Sequence, residues 1–432
     1  MIKSTISVNN FVALLLLIII TVGCQQQQDL DLQSEQAINL EVEISSLEEI
    51  AKDDPNTAIA KADEIISQAE SIGSTYMLGK AKFEKARIYD IHLNEVSDAY
   101  FFYKESLSDL EESEDGILKM RVLNNLAILY RFYGEHETAL ELYDRALTYK
   151  SELTPELLSD LYFNIGYALE KKGDSDAFFE AEEAYEQSMK FAKETNYDEN
   201  IASIHNQIGE MYKAVEDYEM ARISYKNIIR TYQSNPEMSQ YVGLAYQGIG
   251  ETHFEQGNTS QAIESFEKAL VYKTKSGSIF YSKFSLGTAL LKSGYKDEAI
   301  TTWKEGLNEN HDKTNPEQVK IYAELSDALA DVGQFKEALG YSQIYNSSMK
   351  DILEQQKYES NNQVMFADIV REYDEFNRQE PLYAQNWFIL VLILGFGGIV
   401  FLVALRYQKN KSKLSNEQIA RLRSEFRQLR VD

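Results

Sequence analysis

Cysteine is almost missing from this chain. The single one, Cys24, excludes an intramolecular disulfide framework and a cysteine-rich zinc site. Proline is scarce, with 5 residues in 432, so few points force a helix to stop. Catalytic signatures are absent too: there is no G-x-x-x-x-G-K-[ST], no G-x-S-x-G and no H-E-x-x-H. His92, His136, His205, His253 and His311 are scattered without ligand spacing and read as ordinary helix residues. Acidic pairs such as Glu111/Glu112 and Glu182/Glu183 fall in charge-rich stretches, where solvation explains them better than acid–base work. A formal net charge of −26 argues against a nucleic-acid-binding surface and fits solvated helix faces or an acidic groove. The expectation is a non-catalytic chain that needs no cofactor and no metal.

What the chain does have is helical periodicity with an internal repeat. Gly250 is followed twelve places later by Ala262, then by Phe266 and Ala269, with Gly257 between two helical patterns. The same step recurs at Ala127/Ala139, Gly209/Ala221, Gly287/Ala299 and Ser326/Ala338. Small residues let two helices approach closely, and the aromatic fills the seam between neighbouring units. Self-similarity at a fixed period is the mark of a solenoid. Two irregularities stand out: one extra residue precedes Ala99, and three additional residues within Asp174 to Glu180 predict a longer turn.

This recurrence resembles the tetratricopeptide repeat over residues 36–346. The resemblance implies an all-α solenoid of about eight helix pairs, spaced nearer forty residues than the family's thirty-four. It also implies a concave face lined by the first helix of each pair. On matching positions that groove would include Arg121, Asn124 and Ile128, then Phe163 and Tyr167, then Asn206, Glu210 and Lys213. Gln247 and Glu251 would continue it, and Tyr281 and Phe284 would close it. Amides hydrogen-bond a peptide backbone and rings hold apolar side chains, so such a face suits a protein or peptide ligand.

The two ends read as membrane segments. Lys3 and the apolar run Phe11 to Val22 make residues 1–24 a signal peptide, too short to span a bilayer comfortably. Thr21-Val22-Gly23-Cys24 resembles a bacterial lipobox, which implies lipidation of Cys24; ordinary signal cleavage is the other reading. Residues 25–35 form a flexible leader. Residues 347–380 read as a stalk helix, with Met365, Ile369, Tyr373 and Phe376 on one face and Pro381 beyond its end. Residues 387–405, nineteen without a charge, read as a single transmembrane helix. Arg406, Lys409, Lys411 and Lys413 follow that span, while Asp374, Glu375 and Glu380 precede it. Positive charge stays inside, which puts the repeats in the periplasm and the tail in the cytoplasm. The tail, 406–432, has Leu414, Ile419, Leu422, Phe426 and Leu429 at helical spacing. It reads as an amphipathic partner- or lipid-facing helix, or as a simple basic anchor.

This layout resembles bacterial membrane-bound repeat-containing regulators, and the short tail leads to the expectation of one without a kinase or DNA-binding output module. Two functions are expected from it. One is a scaffold or receptor at the inner membrane that captures a periplasmic protein or peptide. The other is a signalling subunit, or a truncated regulator, passing ligand binding to a cytoplasmic partner through Leu422 and Phe426.

Overall fold

The computed structural model describes residues 36–173, 175–272, 276–309 and 316–378. Two compact units divide the chain at residue 366/367. The first holds the helical array. In the second, residues 367–378 are described, and they are helical. The signal peptide, leader, span and tail, with Cys24, Leu422 and Phe426, lie outside the described residues. Among the described residues no helix is long and apolar enough to cross a membrane.

Helices α1 (36–53) and α2 (Pro55–Ile72) form the first antiparallel pair. Asp54 separates them, and its carboxylate accepts from the Asn56 and Thr57 backbone N–H groups at 3.1 and 3.3 Å. Pro55 follows at the first helical position, where no N–H is needed. The pairs α3 (Thr75–Arg87) and α4 (Val96–Asp109), then α5 (Gly116–Phe132) and α6 (His136–Leu147), come next. After them run α7 (Pro155–Lys172) and α8 (Ser175–Glu194), then α9 (Asp198–Ala214) and α10 (Tyr218–Tyr232). The series ends with α11 (Ser239–Glu255) and α12 (Thr259–Tyr272), α13 (Ser276–Lys292) and α14 (Lys296–Leu307), and α15 (Pro316–Asp331) and α16 (Phe335–Arg378). Eight pairs are thus present among the described residues, as the repeat pattern predicts.

Both irregularities are resolved within helices. The extra residue before Ala99 is absorbed by a π-helical turn, Ile88–Leu93, which continues α3 and ends at Asn94 with φ 51°. The extra residues near 174–180 do not lengthen a turn. Gly173 closes α7 and α8 begins at Ser175, so they add a helical turn to α8, where backbone hydrogen bonds stay paired. The stalk continues the second helix of the last repeat, because α16 is one helix from Phe335 to Arg378. No proline lies between those residues to stop it.

The turn inside most pairs is closed by a glycine in left-handed conformation, as at Gly257 with φ 81°. The α9–α10 turn places Glu216 there instead, with φ 62°. A side chain in that region costs roughly 1–2 kcal/mol that glycine avoids.

Core side chains come from the seam between helices. Ala58, Ala62, Ile65 and Ala69 bury one face of α2, and Ala221, Tyr225 and Ile228 do the same on α10. The aromatic residues sit against glycines of the facing helices. A Cβ on Gly250 would lie 2.5 Å from Phe266 Cε1, and one on Gly287 would lie 2.5 Å from Trp303 Cδ1. Each ring therefore fills the space that a missing side chain leaves, which sets how closely the two helices approach.

Candidate functional site

The first helices of successive pairs carry a chain of polar contacts from one repeat to the next. Its densest part spans α9, α11 and α13. Lys213 Nζ lies 2.7 Å from Glu210 Oε2 and 2.5 Å from Glu251 Oε2. The Gln247 amide donates to Glu251 at 2.9 Å and to Ser285 at 2.8 Å, and its oxygen accepts from Ser282 at 2.7 Å. The Tyr225 hydroxyl reaches through the seam from α10 and donates to Glu210 at 2.7 Å. Burial alone would lower the Lys213 ammonium pKa, but Glu251 and Glu210 outweigh it and hold that pKa well above its ordinary value. Burial, then Glu210, raises the Tyr225 phenol well above its own. Tyrosine therefore stays a donor and lysine a cation at any physiological pH.

The preceding repeats repeat the theme. Tyr185 donates to Glu170 at 3.1 Å, and Gln207 of the next first helix donates to the same carboxylate at 2.7 Å. Asn164 donates to Asn124 at 3.0 Å, and the Arg131 guanidinium lies 4.4 Å from the Tyr167 ring centroid. Tyr103 donates to Asp90 at 3.1 Å and accepts from Asn125 at 3.0 Å.

The expected groove residues separate into groups. Glu210, Lys213, Gln247 and Glu251 come together; Asn124 meets Asn164, and Tyr167 meets Arg131. Arg121 is exposed, while Ile128 and Asn206 are half-buried. Tyr281 is 43% exposed on the surface of α13. Three of the expected positions are engaged within the protein. Phe284 is only 8% exposed and belongs to the core cluster with Trp303 and Leu325. Its backbone oxygen accepts from Trp303 Nε1 at 3.2 Å, so the larger aromatic of α14 draws this stretch inward. Phe163 is half-buried, its ring 5.7 Å from that of Tyr185. Gln247, 8% exposed, already spends its amide on protein partners.

Sequence reasoning passed over Glu170 and Gln207. A signal for the first was there: Glu170/Tyr185 and Glu210/Tyr225 share one fifteen-residue step. It also passed over Phe366. The face drawn through Met365 and Ile369 leaves it out, yet Phe366 is 2% exposed while Met365 is half-buried.

Among the described residues no group of three or more His, Cys, Asp or Glu is placed to hold a metal ion. What the geometry defines is a helical repeat array with a polar, charged face. The family profile of the tetratricopeptide repeat matches residues 200–271, the stretch that contains Glu210, Lys213 and Glu251. Among solved structures, a signal transduction ATPase with a tetratricopeptide repeat sensor from Pyrococcus horikoshii is similar at TM-score 0.53 and 15% identity. The match covers 73% of this chain and 48% of that one. The apo quorum sensor NprR from B. thuringiensis matches at TM-score 0.47 and 14% identity, over 74% of this chain and 99% of its own. No curated protein matches the chain. Residues 200–271 thus match the tetratricopeptide repeat, and the helix pairs on either side continue an array of the same kind.

Proposed function

We propose that this chain is a non-catalytic, membrane-anchored scaffold whose first-helix face binds an extracytoplasmic protein or peptide. The observation that carries the reading is the set Glu210, Lys213, Gln247 and Glu251, drawn from two successive first helices and held on protein partners. A set fixed in this way presents charge without having to be ordered on binding, which lowers the cost of association. With two carboxylates to one ammonium, and a net charge of −26 over the chain, it favours a ligand segment with basic residues. The anchor rests on the uncharged run 387–405 and the basic residues after it, which support a bacterial inner-membrane protein with periplasmic repeats and a cytoplasmic tail.

A photo-crosslinking amino acid at Asn206 in the full-length protein tests the reading in cells. The expected result is a crosslink to an extracytoplasmic protein or peptide that disappears in Glu251→Lys while helical content is kept. Equal crosslinking in both forms, or none in either, refutes it.

One observation favours a second reading, a signalling subunit. α16 belongs to the last repeat and continues unbroken to Arg378, toward the expected span. Capture by the full chain and by a Gln25–Gln379 fragment separates the two. A cytoplasmic protein recovered by the full chain alone supports relay through the tail, whereas an unchanged phenotype for Leu422→Ser/Phe426→Ser at normal membrane levels counts against it.

A further inference from the structure

Phe366 sits in a pocket of three tyrosines contributed by a distant part of the array. The Tyr133 ring stacks on it at 4.4 Å with 15° between planes. Tyr100 and Tyr130 meet it edge-on, each at 5.5 Å, with planes at 82° and 77°. Tyr100 and Tyr130 also lie edge to face, 5.9 Å apart, with their hydroxyl oxygens at 3.0 Å. Stacked and edge-on contacts are the favourable arrangements for aromatic rings, and here one ring makes three. Tyr100 comes from α4, while Tyr130 and Tyr133 come from the C-terminal end of α5. Phe366 lies 31 residues along α16 from its start at Phe335, roughly 47 Å at helical rise.

α16 is thinly anchored along the way. Between residues 339 and 366 its buried side chains, among those described, are Ser348, Ile352 and Phe366. Leu339, Leu353 and Val364 on the same stretch are exposed. By contrast α10 buries six side chains in fifteen residues. Ile369, one turn beyond Phe366, is buried as well. A few anchors on a helix that leaves Leu339, Leu353 and Val364 exposed make the form of a helix-in-groove ligand.

We propose that the Tyr100/Tyr130/Tyr133 pocket is a docking site for a partner's amphipathic helix bearing one aromatic anchor, and that Phe366 holds it in cis until such a helix displaces it. The inference rests on the reading of the array as a peptide-binding scaffold, but its test needs no unidentified ligand. The probe is a fluorescein-labelled peptide of residues 347–378, titrated into the full-length protein and followed by anisotropy. Because the cis anchor competes, Phe366→Ala in the protein should bind the probe at least about tenfold more tightly than wild type. Adding Tyr133→Ala should abolish that gain, and a probe carrying Phe366→Ala should not bind. Equal binding by wild type and Phe366→Ala, or binding indifferent to Tyr133, overturns the proposal. A wild-type mass twice that of Phe366→Ala by light scattering assigns the pocket to a second copy's helix and overturns the cis assignment. Should Phe366→Ala fail to fold, Phe366→Trp replaces it. Its added indole fluorescence should become open to acrylamide quenching when unlabelled probe is added, and unchanged quenching at saturation refutes displacement. Failure of the Asn206 crosslink with success here would separate the two sites.

Discussion

Replacing Gly209 by alanine tests whether glycine–aromatic contacts set the spacing of the array. Tyr225 is clamped between two first helices. A Cβ on Gly209 would lie 2.4 Å from its Cε1, and one on Gly248 would lie 2.4 Å from its Cζ. Ordinary carbon–carbon contact is about 3.5–4.0 Å, so the ring would have to move by about 1 Å. Gly248 blocks retreat on one side, and the bond to Glu210 tethers the hydroxyl. Overpacking of this kind costs about 1–3 kcal/mol, partly offset by the roughly 1 kcal/mol that alanine gains over glycine inside a helix. The net expectation is a loss of about 0–2 kcal/mol. Gly340 supplies the control, since nothing lies within 4 Å of its Cβ position, and Gly340→Ala should gain up to about 1 kcal/mol. Repeat arrays unfold unit by unit, so a single global transition is a poor readout. Amide hydrogen exchange across α9, α10 and α11 reads the loss locally. If Gly209→Ala protects those helices as well as wild type does, the clamp does not set the helix spacing.

Four further outcomes follow from other features. Glu216→Gly should raise local stability by about 0.5–1 kcal/mol, read as slower amide exchange in α9 and α10, because glycine relieves the left-handed backbone but frees the unfolded chain. Asp54→Ala should cost about 1 kcal/mol through loss of the α2 cap, read as faster exchange at the Asn56 and Thr57 amides. Lys213→Met should cost about 1–3 kcal/mol by leaving Glu210 and Glu251 facing each other, and Glu251→Gln in the same chain should recover part of it. Burial, aided by Lys193, lowers the His205 pKa to about 4 from 6.5. The fold thus binds fewer protons than the unfolded chain between those values, so its stability falls as pH drops through the window. From about pH 7.5 to about pH 5 the loss is about 2 kcal/mol, and His205→Asn should remove that part of the pH dependence of the α9 opening free energy read by amide exchange.

Helix pairing was legible in the sequence because it is local. The twelve-residue small-residue step, the aromatic four places after Ala262 and the turn glycine all act within one unit; the first pair is marked instead by Asp54-Pro55, and α9–α10 keeps the step but turns on Glu216. The π turn was visible as one surplus residue before Ala99, though not its form. The sequence places Glu210, Lys213, Gln247 and Glu251 on two successive first helices, and the structure joins them there. What the pattern could not say is how each of those groups is used. Phe284 turns inward because Trp303, from another helix, needs the space beside Gly287 and a carbonyl for its indole N–H. Gln247 is spent on Ser282 and Ser285 of the next unit.

The sequence by itself determined the all-α repeat architecture, the missing catalytic motifs and the run 387–405 on which the expected anchor depends. Each of these is written in neighbouring residues, where helical periodicity and composition act directly. Only the tertiary structure decided which polar groups pair across repeats and where Phe366 lands. A contact between residues 366 and 100 depends on the small rotation between each pair of neighbouring units, summed over the array between them. No short stretch of sequence encodes that sum, because every seam contributes to it.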